Sequence, residues 1–240
     1  MSLPYFFINL LSAEMRQIDL DEDTSRHITQ VLRMQEGEKI KLTDGKGHTA
    51  QCDIISAHKK HAAVRITSFE TTTKKYPRLT IAISLVKNVS RFEWFLEKAT
   101  ELGASEIIPL ICERTERQKF RHDRMIAICT SAMLQSMQAW LPELHEPIQF
   151  HDVVKNVKHQ QKMIAHCVKD TKVEYASLYN PSLGTHIILI GPEGDFTEKE
   201  ITSAKECNFV PVSLGSTRLR TETAGIFAAA WANGAKEEDE

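Results

Sequence analysis

The sequence predicts a mixed α/β protein in two parts: a small β-barrel over residues 1–72 and a mostly parallel sheet with helices over residues 73–240. Three observations carry this. Apolar and polar residues alternate between residues 39 and 67; past residue 78 the apolar residues gather into nearly continuous runs; and stretches of helical spacing stand between those runs. Alternation marks strands with one solvated face, and continuous runs mark strands covered on both.

In the first part, SRHITQVLRM reads as one helix started by Ser25. Ile40 and Leu42 then alternate, Asp44-Gly45 makes a hairpin turn, and the chain returns through Cys52 and Ile54. HKKH at 58–61 is a polar turn, after which Val64 and Ile66 resume the alternation. Short strands with polar turns in so short a segment point to a barrel. ETTTKKYPR, at 70–78, has the composition of a linker.

In the second part, LTIAISLV is a strand, and RFEWFLEKATELG is a helix with Phe92, Phe95, Leu96 and Ala99 on one face and a stop at Gly103. EIIPLI is the next strand. RHDRMIAICTSAMLQSMQAWL reads as a longer helix with Met125, Ile128, Ala132 and Ala139 on its apolar side. KMIAHCV, HIILIG and FVPVSLG are three further strands, and TEKEITSAKEC and TETAGIFAAAWANGA are helices.

A chain of 240 residues with 42% hydrophobic and 26% charged content has ample material for a core. A net charge of -2 gives no global attraction for nucleic acid or membrane, so any basic face must be local. The one candidate strip runs from Thr71 to Phe92, where Lys74, Lys75, Arg78, Lys87 and Arg91 occur without an acid. It reads equally as a solvated linker or as a surface facing a polyanion. Five scattered cysteines without a C-x-x-C pair imply reduced thiols and no metal. Without a basic leader or an apolar run of ~18 residues, a cytoplasmic protein is expected.

Ligands of open parallel sheets bind beyond the carboxyl ends of strands. Two loops fall there: GPEGDFT after HIILI, and GSTRLRTETAG after VPVSL. In the first, Thr197 and Glu200 form a capping box for the helix that follows. Gly191 and Gly194 permit a close approach, either to a ligand or to the loop's own turn. No G-x-x-x-x-G-K-[ST] or G-x-G-x-x-G pattern is present, and Glu193 and Asp195 would oppose a phosphate.

LIGPEGDF and LGSTRLRTETAG resemble the two signature loops of the bacterial ribosomal RNA uracil-N3 methyltransferases of the SPOUT superfamily. RFEWFLEKATELGASEIIPL resembles that family's helix–strand segment, and HITQVLRMQEGEKIKLTDGKG its N-terminal domain. The resemblance implies a C-terminal sheet threaded into a trefoil knot and a PUA-like N-terminal barrel. It also implies S-adenosylmethionine as methyl donor, 16S ribosomal RNA of the small subunit as partner, and a homodimer formed through AGIFAAAWA. By similarity the adenine lies on main-chain groups around Ile190, Gly191, Leu214 and Leu219, with clearance at Gly194 and Gly215. His166 and Cys167 form a third wall, Thr223 belongs to the same cradle, and Glu193 neighbours the sulfonium. Arg220 is expected to stabilise developing charge, and Glu222 to orient Arg220 or take the proton. His27, Arg33, Lys74, Lys75, Lys87 and Arg91 are the implied RNA contacts. The chain departs from the family in having Asp195 where a second glycine is common, TRLR where Arg-Ile-Leu-Arg is frequent, and AMLQSMQ, containing Gln135, where Glu-Gln-Ser often occurs. Two other readings stand beside this one: a non-catalytic RNA-binding assembly factor of the same fold, and an α/β enzyme acting on a phosphorylated small molecule.

Overall fold

The computed structural model describes residues 3–74, 77–116 and 119–235. Lys75, expected in the basic strip, lies outside them. The chain forms two compact units: residues up to Lys74 together with Met133–Leu141, and Lys75–Ala132 together with Pro142 onward.

The first unit contains β1 (Tyr5–Phe7), β2 (Gln17–Asp19), α1 (Glu22–Arg26), β3 (Lys39–Thr43), β4 (His48–Ser56) and β5 (Ala63–Thr71). They form a five-stranded sheet in the order β1-β3-β4-β5-β2. The β1–β3 pair is parallel and the others are antiparallel. The alternating residues Ile40, Leu42, Cys52, Ile54 and Val64 pack with Leu11, Leu20 and Ile28 into one core. At the predicted hairpin, Asp44 accepts from the Lys46 backbone N–H at 2.8 Å and meets His48 Nδ1 at 2.7 Å. Gly45 and Gly47 there take φ of 68° and 92°. The distant segment ending at Leu141 closes on this turn: Gly47 N–H donates to Ala139 O at 2.8 Å, and Trp140 Nε1 to Thr72 O at 3.0 Å.

The helix expected to start at Ser25 starts earlier. Asp21 caps it by accepting from Thr24 N–H at 2.8 Å, and after Arg26 the backbone opens into a π-helical turn over His27–Val31. Ser25 is buried inside the helix. Its hydroxyl donates to Leu20 O at 3.2 Å and accepts from Ala62 N–H at 2.9 Å, joining the helix to the entry of β5.

The second unit contains β6 (Arg78–Ser84), α2 (Val89–Glu101), β7 (Glu106–Ile111), α3 (His122–Gln135), β8 (Glu143–Leu144), β9 (Ile148–Gln149) and α4 (Phe150–Asn156). It continues with β10 (Gln161–Ala165), β11 (Val173–Glu174), α5 (Tyr175–Leu178), β12 (Thr185–Ile190), α6 (Glu198–Glu206), β13 (Val210–Ser213) and α7 (Thr221–Gly234). The sheet runs β11-β13-β10-β12-β6-β7-β8, with β9 also paired to β7, and every pair is parallel. The run from Leu79 to Ile83 is buried throughout, as an apolar strand covered on both faces should be. No described helix is long and apolar enough to cross a membrane.

In α2, Phe92, Phe95, Leu96 and Ala99 are buried as the spacing predicts, and Gly103 ends the helix with φ 75°. The helix predicted through Ala139 is shorter. Met137 takes φ 58°, with Met137 N–H bonding Leu134 O and Gln138 N–H bonding Met133 O, a Schellman ending that stops α3 at Gln135. Ala139 therefore lies past the helix and Ile128 is only half-buried; Met125, Cys129 and Ala132 are its buried residues in this unit.

Helix α7 packs on α2, β6 and β12. The close approach is at Gly225, where a Cβ would stand 2.5 Å from Phe95 Cε2 and 3.0 Å from Ile83 Cδ1. Both are buried core atoms with no room to withdraw, so Gly225→Ala should destabilise the protein by about 1–3 kcal/mol. Urea unfolding measures this. A change under about 0.5 kcal/mol, the range of neutral surface substitutions, would show that the two helices separate freely.

Candidate functional site

Beyond the carboxyl ends of β10, β12 and β13 the second unit encloses a cavity of about 470 Å3. Its walls are the turn Ala165–Cys167, the loop from Ile190 to Asp195, the segment from Val212 to Leu219, the first turn of α7, and Arg91 and Lys172. His166, Cys167, Ile190, Gly191, Glu193, Leu214, Gly215, Leu219, Arg220 and Glu222, separated by up to 56 positions in the chain, all line it.

Local bonds hold these loops in register. Thr221, buried at the start of α7, donates its hydroxyl to Gly191 O at 2.9 Å. Asp195 takes φ 64°, a left-handed conformation that Asp tolerates better than most residues, which explains an Asp where glycine is common. Its carboxylate accepts from Cys167 N–H at 2.7 Å and Phe196 N–H at 2.9 Å, tying the β10 turn to the β12 loop. The capping box of Thr197 and Glu200 starts α6 as predicted. Glu193 accepts from Lys87 N–H at 3.0 Å, and Arg114 donates to Gly194 O at 2.7 Å.

The geometry bears differently on each glycine and threonine of the expected cradle. Gly191 lines the cavity, and a Cβ on it would meet the Phe196 ring and backbone N at 3.1 Å, so the missing side chain also serves the loop's fold-back on itself. Gly194 does not line the cavity, and a Cβ there would make only an ordinary 3.4 Å contact with Arg114. Thr223 is also absent from the lining, and Thr221 is the threonine at the wall. Gly215 needs its glycine for conformation: φ is 122° and nothing lies within 4 Å of a Cβ.

The charged groups are arranged differently from expectation. Glu222, 5% exposed, has its Oε1 3.7 Å from Arg91 Nε, so the cation facing it is Arg91 rather than Arg220. The Arg220 side chain is exposed and makes no hydrogen bond or ion pair among the described residues, while its carbonyl accepts from Ala224 N–H at 2.8 Å. Arg218 Nη2 is 3.4 Å from Glu193 O. The His166 side chain is fully buried with both ring nitrogens unbonded, and Asp170 Oδ2 is 3.7 Å from Nε2. Burial, and then the Lys172 ammonium, hold its pKa below the usual histidine value. Lys172 itself donates to His166 O at 2.6 Å.

Of the implied RNA contacts, Lys87 and Arg91 face acids: Lys87 Nζ is 2.7 Å from Glu116, and Arg91 belongs to the cavity wall. Lys74 Nζ lies 4.8 Å over the Trp140 ring. His27 is exposed with its ring edge-on to Phe6, and Arg33 is exposed with φ 56°. Thr221 and Lys172 are the cavity residues that sequence reasoning missed, and no local signal pointed to either. Asp195 was legible as an acid beside the donor and as a departure from glycine, but its bonds to Cys167 and Phe196 were not.

Residues 73–233 match the family model described as an RNA methyltransferase domain, and residues 20–67 match that of an RNA methyltransferase PUA domain. The chain is 34% identical over 212 residues to ribosomal RNA small subunit methyltransferase E of Synechocystis sp., covering 86% of this chain and 69% of that protein. A crystal structure of a probable rRNA-methyltransferase from Porphyromonas gingivalis superposes with a TM-score of 0.90 at 35% identity over 98% of each chain. That of ribosomal RNA small subunit methyltransferase E from Neisseria gonorrhoeae, bound to S-adenosyl methionine, does so with a TM-score of 0.88 at 28% identity over 98% of each.

The buried His166 predicts a pH effect. With a folded pKa below the unfolded value of about 6.5, its contribution to stability is present above that pH. It is lost as pH falls toward the folded pKa, because the unfolded chain takes up a proton first. Urea midpoints should therefore fall between pH 7.5 and 5.5, and less steeply in His166→Gln. Parallel slopes would mean that His166 protonates equally in both states.

Proposed function

The chain belongs to the RNA methyltransferase family, among the proteins named ribosomal RNA small subunit methyltransferase E, and from that premise we propose that it methylates N3 of a uridine in 16S ribosomal RNA with S-adenosylmethionine as donor. The observation that carries this reading is the cavity itself. It lies at the carboxyl ends of parallel strands and has the volume of a small-ligand site, and its lining mixes the carboxylates of Glu193, Asp195 and Glu222 with Arg91, Lys172, Arg218 and Arg220. The carboxylates can neighbour a cationic sulfonium, and the missing G-x-x-x-x-G-K-[ST] loop argues against the phosphorylated-substrate reading.

When bound, S-adenosylmethionine supplies a methyl group on a positively charged sulfur. The main chain around Ile190, Gly191, Leu214 and Leu219 would hold its adenosine, with His166 and Cys167 as the further wall. On the acceptor, the N3–H proton must leave as the N3–methyl bond forms, and negative charge develops on the imide. Arg220, without a partner at the cavity wall, is placed to stabilise that charge. Glu222 is the carboxylate within the wall that can take up the proton, and Arg91 positions it. Extruding the base from folded RNA costs a few kcal/mol. We assign that work to the PUA-like domain over residues 1–72, with His27 and Arg33 as contacts and Lys74 just past its end, and the chemistry to residues 73–240. The family's knot, a homodimer and a cytoplasmic location complete the reading. Support for the dimer comes from Phe227 and Trp231, four apart on α7 and 37% and 42% exposed, and from Trp94, 46% exposed on α2, which packs against α7.

Mass mapping of methylated uridines in small-subunit ribosomal RNA, with and without the protein, tests the function; an unchanged map would reject it. Arg220→Ala should lower turnover by about 100-fold or more while S-adenosylhomocysteine affinity by calorimetry stays within about threefold. A joint loss of affinity and turnover would move Arg220 into the donor cradle. For the dimer, light scattering should give twice the 27.3 kDa chain mass, falling to one chain mass in Phe227→Glu/Trp231→Glu. An unchanged mass in that variant would remove α7 from the interface.

A further inference from the structure

At the amino ends of β6, β7 and β8, remote along the strands from the donor cavity, polar side chains converge. Glu106, the first residue of β7, accepts from the Thr80 hydroxyl through Oε2 at 2.5 Å. Its Oε1 is 2.7 Å from His145 Nε2, and that nitrogen is 3.7 Å from Glu143 Oε1. His159 Nε2 lies 2.8 Å from Thr80 Oγ1 and 3.8 Å from Glu106 Oε2. Thr80 has one hydroxyl proton and gives it to Glu106, so His159 donates to Thr80 through Nε2–H. Its Nδ1 is buried without a hydrogen-bond partner. None of these groups takes part in the proposed methyl transfer.

We propose that Glu106, Glu143 and His145 bind one divalent transition-metal cation of the zinc class. Their donor atoms all lie within 4.8 Å of one another. Tetrahedral bonds of 2.0–2.1 Å place neighbouring ligand atoms about 3.3 Å apart. The two distances from His145 Nε2, 2.7 Å and 3.7 Å, straddle that value and each need change by only about half an ångström, while the Glu106 and Glu143 oxygens, within 4.8 Å of each other, must also come to that spacing. The cation takes the place of the proton on His145 Nε2, which passes to Nδ1 or to solvent. One imidazole with two carboxylates selects zinc-like ions over magnesium and calcium, which prefer oxygen alone. One further feature favours the site: Thr80 holds the Glu106 carboxylate from behind, the arrangement that orients ligands in known metal sites. Glu143, whose side chain is 69% exposed, is the entry side and leaves room for water as a fourth ligand. Bound there, the cation would fasten β7 to β8 and to the turn after β8, and stabilise the folded chain by mass action.

Tag-free, chelator-treated protein should be titrated calorimetrically with zinc chloride and with cobalt chloride, whose visible spectrum reports nitrogen and oxygen ligands. One equivalent per chain is expected, with a raised thermal midpoint. Glu143→Gln, an exposed change that leaves the core intact, should weaken binding at least ~10-fold, and His145→Gln should abolish it. Absence of saturable binding would reduce the cluster to a hydrogen-bonded network. Zinc affinity unchanged in both variants would place the ion elsewhere, and equally tight magnesium binding would contradict the assigned metal class. Each of these overturns the proposal.

Discussion

The architecture of the second unit depends on how closely α7 lies against its neighbours. Gly225 has no side chain where Phe95 and Ile83 already fill the space, and Thr221, one turn earlier, donates to Gly191 O. The first contact sets the depth of the helix and the second its position along the β12 loop. Together they bring the segment from Val212 to Leu219 and the loop after β12 to face each other across a cavity. A methyl donor held there by backbone groups, as we propose, would tolerate little error in those loops, because main-chain donors and acceptors cannot change rotamer to follow a ligand. The stiffness of the site thus comes from packing several residues away from it.

The electrostatics follow from the same arrangement. Asp195 spends both carboxylate oxygens on backbone N–H groups, and Glu193 accepts one from Lys87, so these acids are held in place by the loops they join. Glu222 is nearly buried and has Arg91 across from it, whereas Arg220 remains unpaired at the wall. In the function we propose, the unpaired arginine and the carboxylate facing Arg91 would take the two roles that N3 methylation requires: stabilising charge on the imide and accepting its proton. Arg91, expected as an RNA contact in a basic stretch of sequence, lies in this wall.

The two ends of the parallel sheet carry different chemistry. The carboxyl ends present loops with glycines, backbone groups and both acidic and basic side chains around a cavity. The amino ends gather Thr80, Glu106, Glu143, His145 and His159, residue types that make a metal site or a tight hydrogen-bond cluster. Parallel strands produce this division directly, since every crossover returns the chain to the same edge and brings distant segments together there.

Residue order alone determined the elements whose signal is local. The alternation around Asp44-Gly45 specified a hairpin, the apolar run from Leu79 a buried strand, the face of Phe92, Phe95, Leu96 and Ala99 a packed helix, and Thr197 with Glu200 a helix start. The two signature loops also led to the cavity, because they follow apolar strands whose ends a parallel sheet must align. Short elements such as β8, β9, β11 and α5 stayed hidden, being too brief to show a period. Tertiary structure alone decided that Met133–Leu141 returns to the first unit, that Gly191 makes room for Phe196, that Thr221 rather than Thr223 meets the loop, and that Glu222 faces Arg91. Each of these is a contact between segments far apart in the chain or a matter of which way one side chain points. Local spacing carries neither kind of information; only the packed core does.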